Sequence, residues 1–424
     1  MLNTPTTDPF LRDAIKKVGI GKKGSIALNK EDLTNLKQSF KNEATPTAAQ
    51  GAFLGALFIK GLTADEDIFL KQLFHSHSVQ ATDIINFICP HCDEPIKSFC
   101  QILLEMKTLS RKEAYQLGKI LFSQKSGDGA RGLIASILRV RYETIDEYQG
   151  LLESMQDFFE LPFKKEIPAG DPIIQIADPF DGATRTYLIT PLISQFLQKK
   201  NYRVINLVGD SSGPKYGNNM NDIALRLSST FIKDNGDLAN SKPEWGWYLH
   251  QRDLSPALQR WVTLRRAIIK RPFLATLERF VNPCQAQILI ASAFHPNYGE
   301  KMQQIAQRAG FPGIIIIRNG MEGSTAFALL RPTKILISAK QENGQYLNHE
   351  IDFNPAMHLA STIPKEERLL NPSLEENCQL IQEYSLNGST SNSLFNQRVE
   401  CTCRGIYDAV QWIQNSFKLG GRTQ

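Results

Sequence analysis

Pro172-Ile-Ile-Gln-Ile-Ala-Asp-Pro-Phe-Asp-Gly-Ala-Thr-Arg-Thr186 runs a short apolar stretch into a glycine-bearing polar loop, and this texture recurs through the second half of the chain. Tyr202-Arg-Val-Ile-Asn-Leu-Val208, Ala286-Gln-Ile-Leu-Ile-Ala-Ser292, Gly313-Ile-Ile-Ile-Ile-Arg318 and Thr333-Lys-Ile-Leu-Ile-Ser338 are likewise short, apolar and rich in β-branched residues. Apolar runs without alternation mark strands buried on both faces, as in a parallel sheet covered by helices. Helical stretches such as Leu192 to Lys200 and Glu300 to Ala309 separate the runs, so residues 169–424 are expected to form a mostly parallel α/β domain of βαβ units. Ser385 to Ser393 reads as a polar loop, and Val399 to Phe417 as a closing helix.

Upstream, residues 1–168 carry apolar positions every three or four residues and read as a helical domain. It contains a repeat: residues 28–63 lie over residues 109–144 without a gap, at an offset of 81. Leu28/Leu109, Leu36/Leu117, Gly51/Gly132, Leu57/Leu138, Thr63/Thr144, Asp65/Asp146 and Glu66/Glu147 are identical pairs. Each copy opens on a capping residue, Asn29 or Ser110, and closes on a threonine with acids three residues on, which predicts a further helix start. Further helices from about 218 to 269 are expected to return to this domain.

The 424 residues suit two domains, and 42% hydrophobic with 21% charged residues is ordinary globular usage. No apolar run approaches the length of a bilayer, and Met1 to Lys17 mixes acids and bases where a signal peptide is apolar, so a cytoplasmic protein with no membrane contact is the expectation. Seven cysteines, an odd number, argue for reduced thiols. The net charge of +5 is mild, but Arg252, Arg260, Arg265, Arg266, Lys270, Arg271 and Arg279 cluster against only Asp253 and Glu278. Such a cluster suits a phosphate ligand or nucleic acid, or else it is a solvated helix face.

Three motifs carry less than their spelling suggests. Gly19-Ile-Gly-Lys-Lys-Gly24 has the dinucleotide spacing but follows a helix end, not a strand, and reads as a loop. Gly209-Asp-Ser-Ser-Gly213 spells a nucleophile elbow, yet Pro214 and Gly217 oppose an immediate helix; a loop is favoured over a hydrolase. Cys89-Pro-His-Cys92, with His75, His77 and Cys100, has zinc-ligand types but only one Cys-x-x-Cys, leaving a metal site or plain thiols.

The constellation with most content is the pair of loops after consecutive strands, Asp178-Pro-Phe-Asp-Gly-Ala-Thr-Arg-Thr186 and Gly209 to Gly217, with a helix starting near Thr190 whose amides would face an anion. Gly51-Ala-Phe-Leu-Gly-Ala-Leu-Phe-Ile-Lys-Gly-Leu-Thr63, these loops, Arg265, Lys270-Arg-Pro272, Asn282-Pro283 and Arg318-Asn-Gly-Met-Glu-Gly323 together resemble the anthranilate phosphoribosyltransferase family. The best match is to its divergent branch, some members of which bind nucleic acid. The resemblance implies a pentosyltransferase fold, phosphoribosyl pyrophosphate or another phosphate as ligand, Mg2+ as cofactor, a tryptophan-pathway reaction and a homodimer formed through the helical domain. Mapped onto this chain it implies substrate contacts at Asp181, Gly182, Thr184, Arg185, Thr186, Thr190 and Lys215, with Arg265 on a carboxylate and Glu322 as a single metal ligand; no catalytic residue is assigned.

The departures point the other way. The family's Gly-Thr-Gly-Gly-Asp loop is Ala177-Asp-Pro-Phe-Asp181 here, its Asn-Ile-Ser-Thr is Leu188-Ile-Thr-Pro191, and its paired Asp-Glu is Met321-Glu322. Loss of a paired-carboxylate metal clamp predicts weak or absent transferase activity. The alternative is a sequence-independent nucleic-acid-binding protein using Arg265, Arg266, Lys270 and Arg271, with Lys16, Lys17, Lys22 and Lys23 adding charge and Trp261 either stacking on a base or sitting in the core.

Overall fold

The computed structural model describes residues 7–21, 24–295, 298–358 and 366–420, which fall into two compact units. Unit 1 is Met1–Phe158, Ser212–Pro214 and Ala257–Leu277; unit 2 is Phe159–Ser211, Lys215–Pro256 and Glu278–Gln424.

Unit 1 begins with α1 (Pro9–Val18), α2 (Lys30–Lys41), α3 (Thr47–Lys60), α4 (Ala64–Phe74) and α5 (Ala81–Ile88). It continues with α6 (Glu94–Leu104), α7 (Arg111–Leu121), α8 (Asp128–Arg141) and α9 (Ile145–Gln156). Positions 81 apart do the same work. Asn29 and Ser110 cap α2 and α7, and Thr63 and Thr144 cap α4 and α9, all four as reciprocal capping boxes. Glu66 then accepts the Leu28 amide at 2.9 Å and pairs with Lys60 at 2.7 Å, while Glu147 accepts the Leu109 amide at 2.9 Å and pairs with Arg141 at 2.6 Å. Each buried glutamate thereby joins the start, middle and end of its copy.

Helices α3 and α8 cross where side chains are absent. A Cβ on Gly51 would stand 1.9 Å from the Gly129 carbonyl oxygen, and one on Gly132 would stand 2.0 Å from that of Ala48. Gly132 is the counterpart of Gly51, and Gly129 that of Ala48, so the contact is reciprocal, as in a two-fold interface, but made within one chain.

Cys89 and Cys92 form a disulfide, which corrects the expectation of thiols or a metal site there: the turn between α5 and α6 brings their Cα atoms to 5.3 Å, within bridging range. Among the described residues no group of three or more His, Cys, Asp and Glu side chains is placed to hold a metal ion. The remaining cysteines, Cys100, Cys284, Cys378, Cys401 and Cys403, are free and buried. No described helix is long and apolar enough to cross a membrane.

Unit 2 is an eight-stranded sheet with helices. In chain order its elements start with β1 (Ile173–Ala177), α10 (Thr190–Gln198), β2 (Arg203–Val208), α11 (Met220–Arg226), β3 (Thr230–Phe231), β4 (Trp247–His250) and α12 (Gln251–Leu254). Two helices of unit 1 follow, α13 (Pro256–Ile268) and α14 (Leu274–Leu277). Unit 2 resumes with β5 (Ile288–Ala293), α15 (Gly299–Arg308), β6 (Gly313–Arg318), β7 (Thr333–Lys340), β8 (Tyr346–Phe353), α16 (Leu374–Asn387) and α17 (Ser393–Gly420). The strand order is β3-β4-β2-β1-β5-β6-β7-β8, parallel from β3 to β6 and antiparallel at β7 and β8. Ile174 pairs with Val204 on one side and Ile288 on the other, so β1 is central and buried throughout. Of residues 218–269, expected as helices returning to the helical domain, α13 lies in unit 1, whereas α11 and α12 lie in unit 2 and β3 and β4 join its sheet, because Trp247-Tyr-Leu-His250 is fully buried beside β2.

Candidate functional site

The strand order turns at β1, with β2 on one side and β5 on the other, so the loops at the carboxyl ends of these strands diverge there, the usual ligand position in such sheets. In unit 2 they meet backbone to backbone. Gly182 (φ +78°) and Gly323 (φ +84°) adopt left-handed conformations. A Cβ on Gly182 would lie 2.3 Å from the Asn218 carbonyl oxygen, and one on Gly323 would lie 2.3 Å from that of Gly182. Ala183 N donates to the Asn218 carbonyl at 2.8 Å, and Gly217 N to that of Asp181 at 3.3 Å. The loops after β1, β2 and β6 are thus closed on one another, and an ion pair between Lys215 and Glu322 ties the second to the third.

Beneath this junction lies Asp178, fully buried. Thr190 Oγ1 donates to its Oδ2 at 2.5 Å and the Thr325 amide to its Oδ1 at 2.7 Å, and the two threonine hydroxyls are 3.2 Å apart. Burial raises the Asp178 pKa, opposed by these hydrogen bonds. The amino end of α10, expected to present amides to an anion, is altered by its own sequence: Thr190 faces Asp178, Pro191 has no N–H, and the Leu192 and Ile193 amides donate to the Ile189 carbonyl.

The other expected contacts divide between the units. Asp181 and Thr186 are buried, and the Thr186 hydroxyl donates to the Tyr187 carbonyl at 3.2 Å. Thr184 and Arg185 are crossed by the segment 369–371, whose Asn371 and Leu369 amides donate to their carbonyls at 2.9 Å each. The Arg185 side chain is exposed and makes no ion pair among the described residues. Glu322 does not suit a magnesium clamp: Lys215 neutralises it and its neighbour is Met321.

Arg265, Arg266, Lys270 and Arg271 belong to unit 1. Arg265 is buried and the other three are half-buried. Trp261 is a core residue, with ring centroids 5.9 Å from Phe122 and 5.6 Å from Phe273. Burial, with Arg139 and Lys16 nearby, lowers the Lys270 pKa to about 8. Lys22 and Lys23 lie outside the described residues.

One cluster was not singled out from sequence. At the ends of β2 and β4, His250 Nδ1 accepts the Arg252 amide at 2.9 Å, leaving Nε2 to carry the proton and donate to Asp210 at 3.2 Å; Arg252 Nη2 reaches the same carboxylate at 3.3 Å. Asp210 lies in the motif that spells an elbow, which the sequence favours as a loop; no helix follows until Met220, so it lacks an elbow's strand-turn-helix setting. No spacing signal joins His250 to Asp210, which are 40 residues apart.

No family model matches the chain. It is 23% identical over 292 residues to an uncharacterised protein of Aquifex aeolicus (strain VF5), spanning 68% of this chain and 85% of that one. It is 22% identical over 222 residues to the anthranilate phosphoribosyltransferase of Geobacillus thermodenitrificans (strain NG80-2), spanning 51% of this chain and 63% of the enzyme. Among solved structures, the anthranilate phosphoribosyltransferase of Thermus thermophilus matches with a TM-score of 0.58 at 16% identity, covering 75% of this chain and 90% of the enzyme. The Saccharomyces cerevisiae enzyme in complex with PRPP and Mg matches with a TM-score of 0.58 at 12% identity, covering 77% and 92%. The fold is that of the anthranilate phosphoribosyltransferases.

Proposed function

We propose that this chain, a phosphoribosyltransferase-like protein by fold, binds a phosphate-bearing ligand at the loops ending its central strands and has weak or no anthranilate transferase activity. The observation that carries this reading is the Asp178 carboxylate on the Thr190 hydroxyl and the Thr325 amide, two donors otherwise suited to an anion. A ligand would instead be held at the rim, by the exposed Arg185 with the half-buried Thr184. Without a fitting magnesium clamp, the charge developing on departing pyrophosphate has no metal to neutralise it. Thermal-shift titration with phosphoribosyl pyrophosphate should give a stabilisation that Arg185→Ala reduces and that magnesium changes little. Complementation of a tryptophan auxotroph lacking the transferase should fail; growth would overturn the proposal of lost activity.

A second reading, sequence-independent nucleic-acid binding by unit 1, is favoured by Lys270, which makes no ion pair among the described residues and shares its surroundings with Arg139 and Lys16. Fluorescence anisotropy with labelled oligonucleotides should detect binding that weakens as salt rises and is indifferent to sequence. It should be lost when Arg265, Arg266, Lys270 and Arg271 are changed to alanine in a protein that still folds. It should also be weaker at about pH 9 than at about pH 7, because Lys270 loses its proton between them.

A further inference from the structure

On the outer face of unit 2, α10, α16 and α17 enclose a pocket of about 430 Å³, within the range of small-molecule sites. Leu192, Val399 and Cys403 supply apolar lining, and Phe196, Tyr384 and Tyr407 supply aromatic rings. Phe196 and Tyr407 meet edge to face at 5.8 Å, and the Lys200 ammonium lies over both, 5.7 and 5.1 Å from their centroids. All three aromatic residues are half-buried, so part of each ring stays open to the pocket.

The rim is charged. Lys199, Lys200 and Arg404 stand against Glu400 and Asp408, and none of the five makes an ion pair among the described residues. An apolar, ring-lined pocket with three cations to two carboxylates has a rim with an excess of one positive charge. We propose that this pocket binds a small organic monoanion with a planar apolar body and one carboxylate, the body against the Phe196, Tyr384 and Tyr407 rings and the carboxylate towards Lys200. The fold-defining loops of β1, β2 and β6 take no part, so this inference stands apart from the function proposed above.

The test uses the full chain and two isosteric probes, 2-naphthoate and the uncharged 2-naphthamide, with affinities from isothermal titration and contact from saturation-transfer NMR. Naphthoate is expected to bind roughly fivefold more tightly than the amide, the factor of an exposed charge pair. Lys200→Gln, at an exposed position that leaves the core untouched, should erase that preference. Tyr407→Leu should weaken both probes by roughly fivefold. Equal binding of the two probes, no binding of naphthoate, or undiminished binding in both variants would overturn the proposal.

Discussion

Asp178 holds a carboxyl group buried beyond the end of β1, where burial favours its neutral form. A carboxyl with a folded-state pKa above its unfolded value, near 3.8, contributes stability that is fully present below that value and is lost as pH rises through the higher one. Asp178→Asn keeps an acceptor for the Thr325 amide and a partner for the Thr190 hydroxyl. Its unfolding free energy by urea titration should therefore vary less with pH than that of the wild type. Asp178→Ala leaves the Thr325 N–H buried without its acceptor and should cost about 1–3 kcal/mol. Residues 172–186 contain Asp178, but its role depends on Thr325, 147 residues on, and that convergence cannot be read from spacing. Lys215 and Glu322 are separate expectations of the sequence, a substrate contact and a metal ligand; their pairing emerges only when the loops after β2 and β6 meet.

The elements were legible where chemistry is local. All four capping boxes of the repeat stand in the sequence as Asn29, Thr63, Ser110 and Thr144 with acids three residues on, and the five apolar runs became β1, β2, β5, β6 and β7. The strands missed have physical reasons. β3 is two residues long, β4 is four, and β8 is an edge strand whose Tyr346-Leu-Asn-His-Glu-Ile-Asp-Phe353 faces are largely exposed and so carry no apolar run. The equivalence of Glu66 and Glu147 goes beyond helix starts, since each also meets a buried cation and a distant amide. Glu66→Ala and Glu147→Ala should each destabilise the protein by about 3 kcal/mol, because each strands a buried Lys60 or Arg141 and a buried amide. Denaturant unfolding would check the match between the two.

Across the whole chain, the copies meet through Gly51 and Gly132, each against backbone of the other copy. A methyl group at either position would push α3 and α8 apart, so Gly51→Ala and Gly132→Ala should each cost about 1–3 kcal/mol in chemical denaturation. We propose that this internal pairing stands in for the homodimer that the family resemblance implies, and light scattering is then expected to return the mass of a single chain. The reciprocal crossing also has a consequence for mass action. An interface shared by two molecules falls apart on dilution, and its melting temperature falls with it, because one folded assembly yields two unfolded chains. Here both halves are tethered, so the concentration each experiences of the other is set by chain length and not by the solution. The melting temperature should therefore stay constant when the protein is diluted about a hundredfold, a dilution that would lower the melting temperature of a dimer.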